Sequence, residues 1–258
     1  MTGAAQGIGR ALVDALIHER VASIVAVDLD IGALDGTSET SDTSANRTTL
    51  LAEQSDVTRP GELDRIVALA EREFGRVDIF CSNAGVMSLG GVEASDEAWQ
   101  ASWEVNVMAH VRAARAVVPG MLSRSSGVLL NVVSAAALLS APESAPYTAT
   151  KHAALGFSEW LAITYGHRGI QVCVVCPEAV DTRMRRDARS QRTARGHRLT
   201  EGGAVLSPQA VATAAVASVK AGQFLSTPHP HTLRRAQQKW SDVDAWITAM
   251  NSSVRGNG

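Results

Sequence analysis

The feature that most limits how this chain can fold is an alternation of two kinds of segment. Short runs rich in β-branched and aliphatic residues occur at SIVAVD (23–28), TLLAEQ (49–54), VDIFCS (77–82), VLLNVVS (128–134) and IQVCVVC (170–176). FLST (224–227) is a weaker sixth candidate. Longer segments with helical periodicity lie between them, at about 7–19, 60–74, 96–122, 147–166 and 208–220. Strands that alternate with helices build βαβ units, so neighbouring strands run parallel and the helices cover the sheet. The expectation is an α/β chain with a Rossmann-like doubly wound parallel sheet and helices on both faces. Apolar residues make up 45% of the 258 positions and charged residues 19%, enough for one large core. Residues 1–258 are read as a single domain.

Three stretches break the alternation. GTSETSDTSANR (36–47) reads as a solvated loop. MRRDARSQRTARGHR (184–198) is strongly basic. From about His231, the residues Leu233, Ala236, Trp240, Val243, Ile247 and Met250 recur at spacings of three and four, which predicts one amphipathic helical extension over about 231–252.

Several function classes are disfavoured. The net charge of −2 gives no global attraction to nucleic acid or an anionic membrane. The most apolar stretch, GVLLNVVSAAALLSA, is too short for a bilayer span of about 20 residues and contains Asn and Ser. No basic start runs into an apolar stretch, as a secretory signal would. Cys81, Cys173 and Cys176 all sit in apolar runs and read as reduced core thiols of a cytoplasmic protein. Cys173 and Cys176 form a C-x-x-C pair inside a strand, where positions i and i+3 face opposite ways, so no metal site is expected.

The motifs point to a dinucleotide. Gly3, Gln6, Gly7, Ile8 and Gly9 form a glycine-rich turn that opens a helix, RALVDALIHE. Backbone N–H groups and the helix dipole at such a terminus favour a pyrophosphate, and missing side chains let the backbone come close. The next strand ends at Asp28, whose carboxylate suits both adenosine ribose hydroxyls and would repel a 2′-phosphate. Leu29-Asp30 follows, with no basic residue, so NAD is favoured over NADP. Asp56-Val57 and Asn83-Ala84-Gly85 follow later strands at the ends where open α/β sheets bind ligands.

A second group of residues points to proton transfer. Tyr147 and Lys151 are i and i+4 on one helix face, and an ammonium beside a phenol lowers its pKa from about 10. That makes Tyr147 a general acid/base near neutral pH. Ser134 ends the preceding strand, with its hydroxyl within reach of Tyr147 through a short loop. Asn106, in WEVNVMAH, is a polar residue among apolar ones and needs a partner if buried.

As a set, these motifs resemble the short-chain dehydrogenase/reductases, in the subgroup with a TGxxxGIG turn and a YxxxK pair. The resemblance runs from Thr2 to about Phe224. It implies an NAD(H)-dependent oxidoreductase moving a hydride between nicotinamide and a small secondary alcohol or ketone. It further implies that Asp56 and Val57 contact the adenine and that Asn83, Ala84 and Gly85 line the cofactor cleft. Ser134 would orient the substrate oxygen and Tyr147 transfer the proton. Lys151 would bind the nicotinamide ribose, and Asn106 would hold a water linking Lys151 to solvent. Pro177, Val180 and Thr182 match the family's PGxVxT segment near the carboxamide. A substrate lid is implied at about 183–206, and a homodimer or homotetramer through the helices at 96–122 and 147–166.

Two departures from the family pattern matter. Glu178 stands where the family usually has glycine; if that position needs a positive φ, Glu costs about 1 kcal/mol or more, and it brings a charge toward the nicotinamide. The family's mid-sheet first strand, before the turn in the order 3-2-1-4-5-6-7, is missing or truncated, since only Met1 precedes Thr2. Either the runs at 23–28 and 77–82 close up and pair, or the sequence starts inside a longer natural chain. The cost of unpaired buried backbone groups favours the second. These departures support a rival reading, a non-catalytic dinucleotide sensor or an inactive truncated relative. The complete Asn-Ser-Tyr-Lys set argues for the enzyme. Arg183, Arg185, Arg186, Arg189, Arg192, Arg195 and Arg198 read either as a solvated helix face or as a source of one or two groups that recognise a substrate carboxylate or phosphate.

Overall fold

The computed structural model describes residues 1–34, 48–194 and 204–255. The chain runs α1 (Gly7–His18), β1 (Ser23–Asp28), β2 (Thr49–Gln54), α2 (Glu62–Phe74), β3 (Ile79–Ser82) and α3 (Asp96–Trp103). It continues through α4 (Ala109–Ser123), β4 (Gly127–Val132), α5 (Ala136–Leu139), α6 (Ala145–Tyr165) and β5 (Ile170–Val175). It ends with α7 (Arg183–Ala194), α8 (Pro208–Lys220), β6 (Leu225–Ser226), α9 (Thr232–Ser241) and α10 (Val243–Arg255).

Among the described residues every strand pairing is parallel, in a two-stranded sheet β2-β1 and a four-stranded sheet β3-β4-β5-β6. The strands separate two apolar layers. One layer packs α2, α4 and α6 against residues such as Leu129 and Val174. The other packs α1 and α8 against Leu130, Val132 and Val175. This is the Rossmann-like α/β architecture with helices on both faces. Cys173 and Cys176 fall in different layers, so their thiols do not converge. Burial pushes them to about 11 and about 12, as inert core groups.

Direct pairing of β1 with β3, the less favoured of the two alternatives, does not occur among the described residues. Met1 and Thr2 lie between the two strands. Thr2 bridges Val27 in parallel and its N–H donates to the Cys81 carbonyl at 3.0 Å. Val27 N–H donates to the Met1 carbonyl at 2.8 Å, and the Met1 ammonium reaches the Val25 carbonyl at 2.7 Å. Beyond Met1 the space between β1 and β3 is a cavity of about 210 Å³ lined by Val25, Ile66, Val77, Ile79 and Phe80.

Two expected helices are subdivided. The segment expected at 96–122 holds a π-helical stretch, Glu104–Met108, between α3 and α4. The extra residue per turn there shifts the face that Asn106 presents. The single tail helix is two helices, because Asp242 is extended at φ −156° and its carboxylate caps the Ala245 N–H at 2.9 Å. The anticipated apolar stripe is buried only in part: Ala236 is buried, but Leu233 and Trp240 are 44% and 67% exposed, and the polar Thr232 and Lys239 are buried in their place. The Lys239 ammonium has been drawn inward to donate to the Leu138 carbonyl at 2.8 Å. The loop expected at 36–47 and lid residues 195–203, with Arg195 and Arg198, lie outside the described residues, as does the Arg192 side chain. Among the described residues no helix is long and apolar enough to cross a membrane.

Candidate active site

The glycine turn is shaped by close backbone approach. Gly3 and Gly7 have φ of +65° and +56°, where an L side chain is strained. Asn83 Nδ2 donates to the Thr2 and Gly3 carbonyls at 3.2 and 2.9 Å, and the Thr2 hydroxyl accepts from the Asn83 and Ala84 N–H groups. The turn is thus stapled to the end of β3. Gly9 does not line the cleft but sits beneath the turn. A Cβ there would lie 1.8 Å from the Gly3 carbonyl oxygen and 2.5 Å from Asn83 Nδ2. Gly9→Ala is therefore expected to cost about 3 kcal/mol or more and to abolish cofactor binding, read by urea unfolding and cofactor titration. Gly156→Ala, in α6 with nothing within 4 Å of the added carbon, is the matched control and leaves stability equal or slightly higher. A Gly9→Ala protein as stable as the control would refute the packing argument.

The turn opens one end of a cleft of about 1450 Å³. Gly3, Gln6, Gly7 and Ile8 line it, with Asp28, Asp56, Val57, Asn83, Ala84 and Gly85. Asp28 closes β1 and accepts the Ala5 N–H at 2.8 Å, which ties the end of that strand to the turn. Hydrogen bonds from the Thr58 hydroxyl and N–H, at 2.6 and 2.9 Å, hold the Asp56 carboxyl below its usual range. Pro177, Val180 and Thr182 line the same cleft after β5. Both glycines are set by close contacts: a Cβ on Gly3 would meet the Asn83 side chain at 2.8 Å, and one on Gly7 the Thr182 methyl at 3.3 Å.

Ser134, Tyr147 and Lys151 line the cleft together. Ser144 caps α6 by accepting the Tyr147 N–H at 3.2 Å, and Pro146 occupies the first turn. This start puts Tyr147 in the first turn of α6, with Lys151 one turn later. Both are nearly closed off, at 8% and 3% exposed. Asn106 is fully buried, outside the cleft wall. Its amide donates to the Val86 carbonyl at 3.0 Å and to the Thr150 hydroxyl at 3.1 Å, and its Oδ1 accepts the Val86 N–H at 3.0 Å. A Cβ on Gly85 would lie 3.4 Å from Asn106 Oδ1 and 3.5 Å from Lys151 Nζ, so only glycine's absent side chain keeps that junction open.

The expected lowering of the Tyr147 pKa by Lys151 is not what this arrangement produces. Burial raises the phenol above its ordinary value, and hydrogen bonding with Ser134 offsets only part of that. The Lys151 ammonium stands 5.6 Å from the ring centroid and 3.5 Å from the Val132 carbonyl. Burial also pushes Lys151 itself down to about 8. A shared helix face fixes a direction, not the separation between Nζ and the phenolic oxygen.

The conditional strain at Glu178 does not arise: among the described residues the positive-φ positions besides glycine are Arg20, Ser125 and Ser140. The Glu178 carboxylate lines the cleft beside His231 and Arg235. Sequence reasoning missed these two residues, Thr150 and the Ser144 cap. Ser-Ala-Pro before an apolar helix is a readable start signal for the cap; nothing local in the sequence pairs Glu178 with a helix more than fifty residues away.

The family described as short chain dehydrogenase is matched by residues 1–193. An uncharacterised NAD-dependent oxidoreductase of Mycobacterium tuberculosis is 36% identical over 197 residues, covering 71% of this chain and 71% of that protein. A short-chain dehydrogenase/reductase of Burkholderia phymatum, solved with NAD, superposes with a TM-score of 0.81 at 26% identity, over 95% of this chain and 93% of that one. A short-chain dehydrogenase of Sphingobium yanoikuyae, solved with NADPH, gives 0.78 at 27% identity, over 98% and 94%.

Proposed function

This chain belongs to the short-chain dehydrogenase family, NAD(P)-dependent oxidoreductases acting on CH–OH groups, and from that premise we propose that it oxidises a small secondary alcohol, or reduces the ketone, with NAD(H) as its cofactor and Tyr147 as its general acid/base. The observation that carries this reading is the convergence of Ser134, Tyr147 and Lys151 on a cleft that also holds Asp28 and the glycine turn. Gly3, Gln6, Gly7 and Ile8 would hold the pyrophosphate over the α1 N-terminus, and Gly9 would keep that turn tight. Asp28 would take the adenosine ribose, Asp56 and Val57 the adenine, and Lys151 the nicotinamide ribose. Asn83, Ala84, Gly85, Pro177, Val180 and Thr182 would wall the nicotinamide half. Bound there, the cofactor accepts or supplies the hydride.

The chain's own residues handle the proton. Ser134 hydrogen-bonds the substrate oxygen and aims it at Tyr147, whose phenol gives a proton to a forming alkoxide and whose phenolate takes one from an alcohol. Asn106 acts through Thr150 and the Val86 backbone, fixing the start of α6 and hence Tyr147 and Lys151. Cofactor consumption with a panel of secondary alcohols and ketones tests the reading. Tight cofactor binding with no turnover on any of them would favour the sensor instead.

NAD preference rests on Asp28. Asp28→Asn keeps an acceptor for the Ala5 N–H while removing the charge that repels a 2′-phosphate. The NADP to NAD ratio of kcat/KM is expected to rise about 10-fold or more. An unchanged ratio would take the preference away from Asp28.

The same proposal includes a cytoplasmic location, which suits three buried thiols, and a homodimer or homotetramer. Trp160 and Ile163 leave α6 with exposed apolar surface, 52% and 81% accessible, which supports such an assembly.

A further inference from the structure

Glu178 organises a charged wall on the Ser134 side of the cleft. Its Oε1 accepts from the Thr232 hydroxyl at 2.7 Å and its Oε2 from His231 Nε2 at 3.0 Å. Arg235 stands 3.6 Å from the same Oε2. All three partners come from α9 or the residue before it. Burial alone would raise the carboxyl, but the two hydrogen bonds and the charges of His231 and Arg235 outweigh it and keep Glu178 ionised. Its backbone is anchored as well. Glu178 N–H donates to His229 Nδ1 at 3.1 Å, so His229 carries its proton on Nε2 and donates to the Ala204 carbonyl at 3.1 Å.

Arg235 is positioned but not consumed. Among the described residues its guanidinium donates no hydrogen bond; the Glu178 contact is an ion pair just beyond that distance. One face of the guanidinium stands 5.6 Å from the Trp246 ring centroid. The side chain is 35% exposed and lines the cleft. Its helix, α9, is pinned to α5 by the Lys239 to Leu138 hydrogen bond, and α5 begins two residues after Ser134. Asp28 and Asp56, the other carboxylates lining the cleft, belong to its adenosine end. The α7 arginines are less discriminating, because α7 follows Thr182, whose methyl lies over the phosphate turn at Gly7.

A guanidinium set against an indole, oriented by a carboxylate and with its donors unspent, is a prepared fork for a planar anion. We propose that Arg235 is a specificity-determining residue that binds a carboxylate on the alcohol or ketone substrate, with Glu178 as the residue that orients it. This deepens the oxidoreductase reading and rests on it. The glutamate in the glycine position then serves to fix a tail-borne cation in the wall of the cleft that holds Ser134 and Tyr147.

Acetoacetate and levulinate, each against its methyl ester, test the proposal with the protein supplied with NADH, whose hydride the ketone accepts. The acids should be preferred. Arg235→Met, which keeps an apolar stem on Trp246, should lower the acid-to-ester ratio of kcat/KM about 10- to 100-fold, the range for a charge-assisted hydrogen bond. Arg235→Lys should recover part of that loss. Equal use of acids and esters, an equal loss on both in Arg235→Met, or a preference for the matching phosphonates would overturn the carboxylate assignment. Turnover of other ketones with neither series used would also overturn the carboxylate assignment. If neither these series nor any other ketone or alcohol of the panel is turned over, the oxidoreductase reading is what fails. Calorimetric titration of the NAD-loaded protein with levulinate then decides Arg235 separately: binding lost in Arg235→Met supports the site, and binding unchanged in that variant overturns it.

Discussion

Tyr147→Phe is expected to lower kcat by about 10²- to 10⁴-fold while leaving cofactor affinity unchanged. The substitution removes one oxygen from a side chain that is 8% exposed and keeps the ring that packs beneath Lys151. The α6 start is built from the Ser144 cap and the Asn106–Thr150 bond, neither of which involves the phenol. A drop in kcat therefore reports the lost proton donor and not a displaced helix. The pH dependence has a definite sign. Burial raises the Tyr147 pKa, so the phenol stays protonated at neutral pH and serves ketone reduction as an acid. Alcohol oxidation needs a base, so its rate should climb as pH rises, and that climb should vanish in Tyr147→Phe. Turnover within a few fold of the parent, with the same pH profile, would remove Tyr147 from the mechanism.

How much of this was legible in the sequence depends on the range of the interaction involved. The strand at 23–28 was readable to the residue, because SIVAVD is a buried β-branched run bounded by polar positions. The glycine turn and the Tyr147–Lys151 pair were readable because each is a local spacing with one geometric meaning. The π-helical stretch at Glu104–Met108 was not, since its sequence keeps a helical pattern and only packing against Val86 and Thr150 inserts the extra residue. The break at Asp242 was hidden by apolar residues that continue the three-four spacing across it. Glu178 could be flagged as a departure, but the partners that hold its carboxylate, Thr232, His231 and Arg235, are delivered only by the tertiary fold. The same limit explains the Tyr147 pKa: periodicity gave the shared face, and burial, a property of the whole fold, decided the sign.

His110 should make the fold acid-sensitive, and His110→Leu should remove that sensitivity. The ring is 3% exposed on α4, and neither nitrogen has a hydrogen-bond partner among the described residues. Burial, and then the charge of Lys151, push its pKa down from 6.5 to about 3, while the neighbouring Asn131 side chain works the other way and is outweighed. The folded state thus keeps His110 neutral where the unfolded chain already binds a proton. Between pH 6.5 and about 3 the unfolded state holds more protons, so stability present above 6.5 is lost as pH falls toward the folded value. At about two pH units below the unfolded pKa the loss is about 3 kcal/mol, a large share of the roughly 5–15 kcal/mol available to a domain. Urea unfolding of parent and His110→Leu, at neutral pH and near pH 4.5 (about two units down), measures the difference. Carboxylates that titrate in the same range cancel between the two proteins. The variant should gain about 3 kcal/mol on the parent as pH is lowered. A separation that stays constant across that range would mean that His110 is protonated inside the fold, with a partner that the apolar packing of α4 conceals.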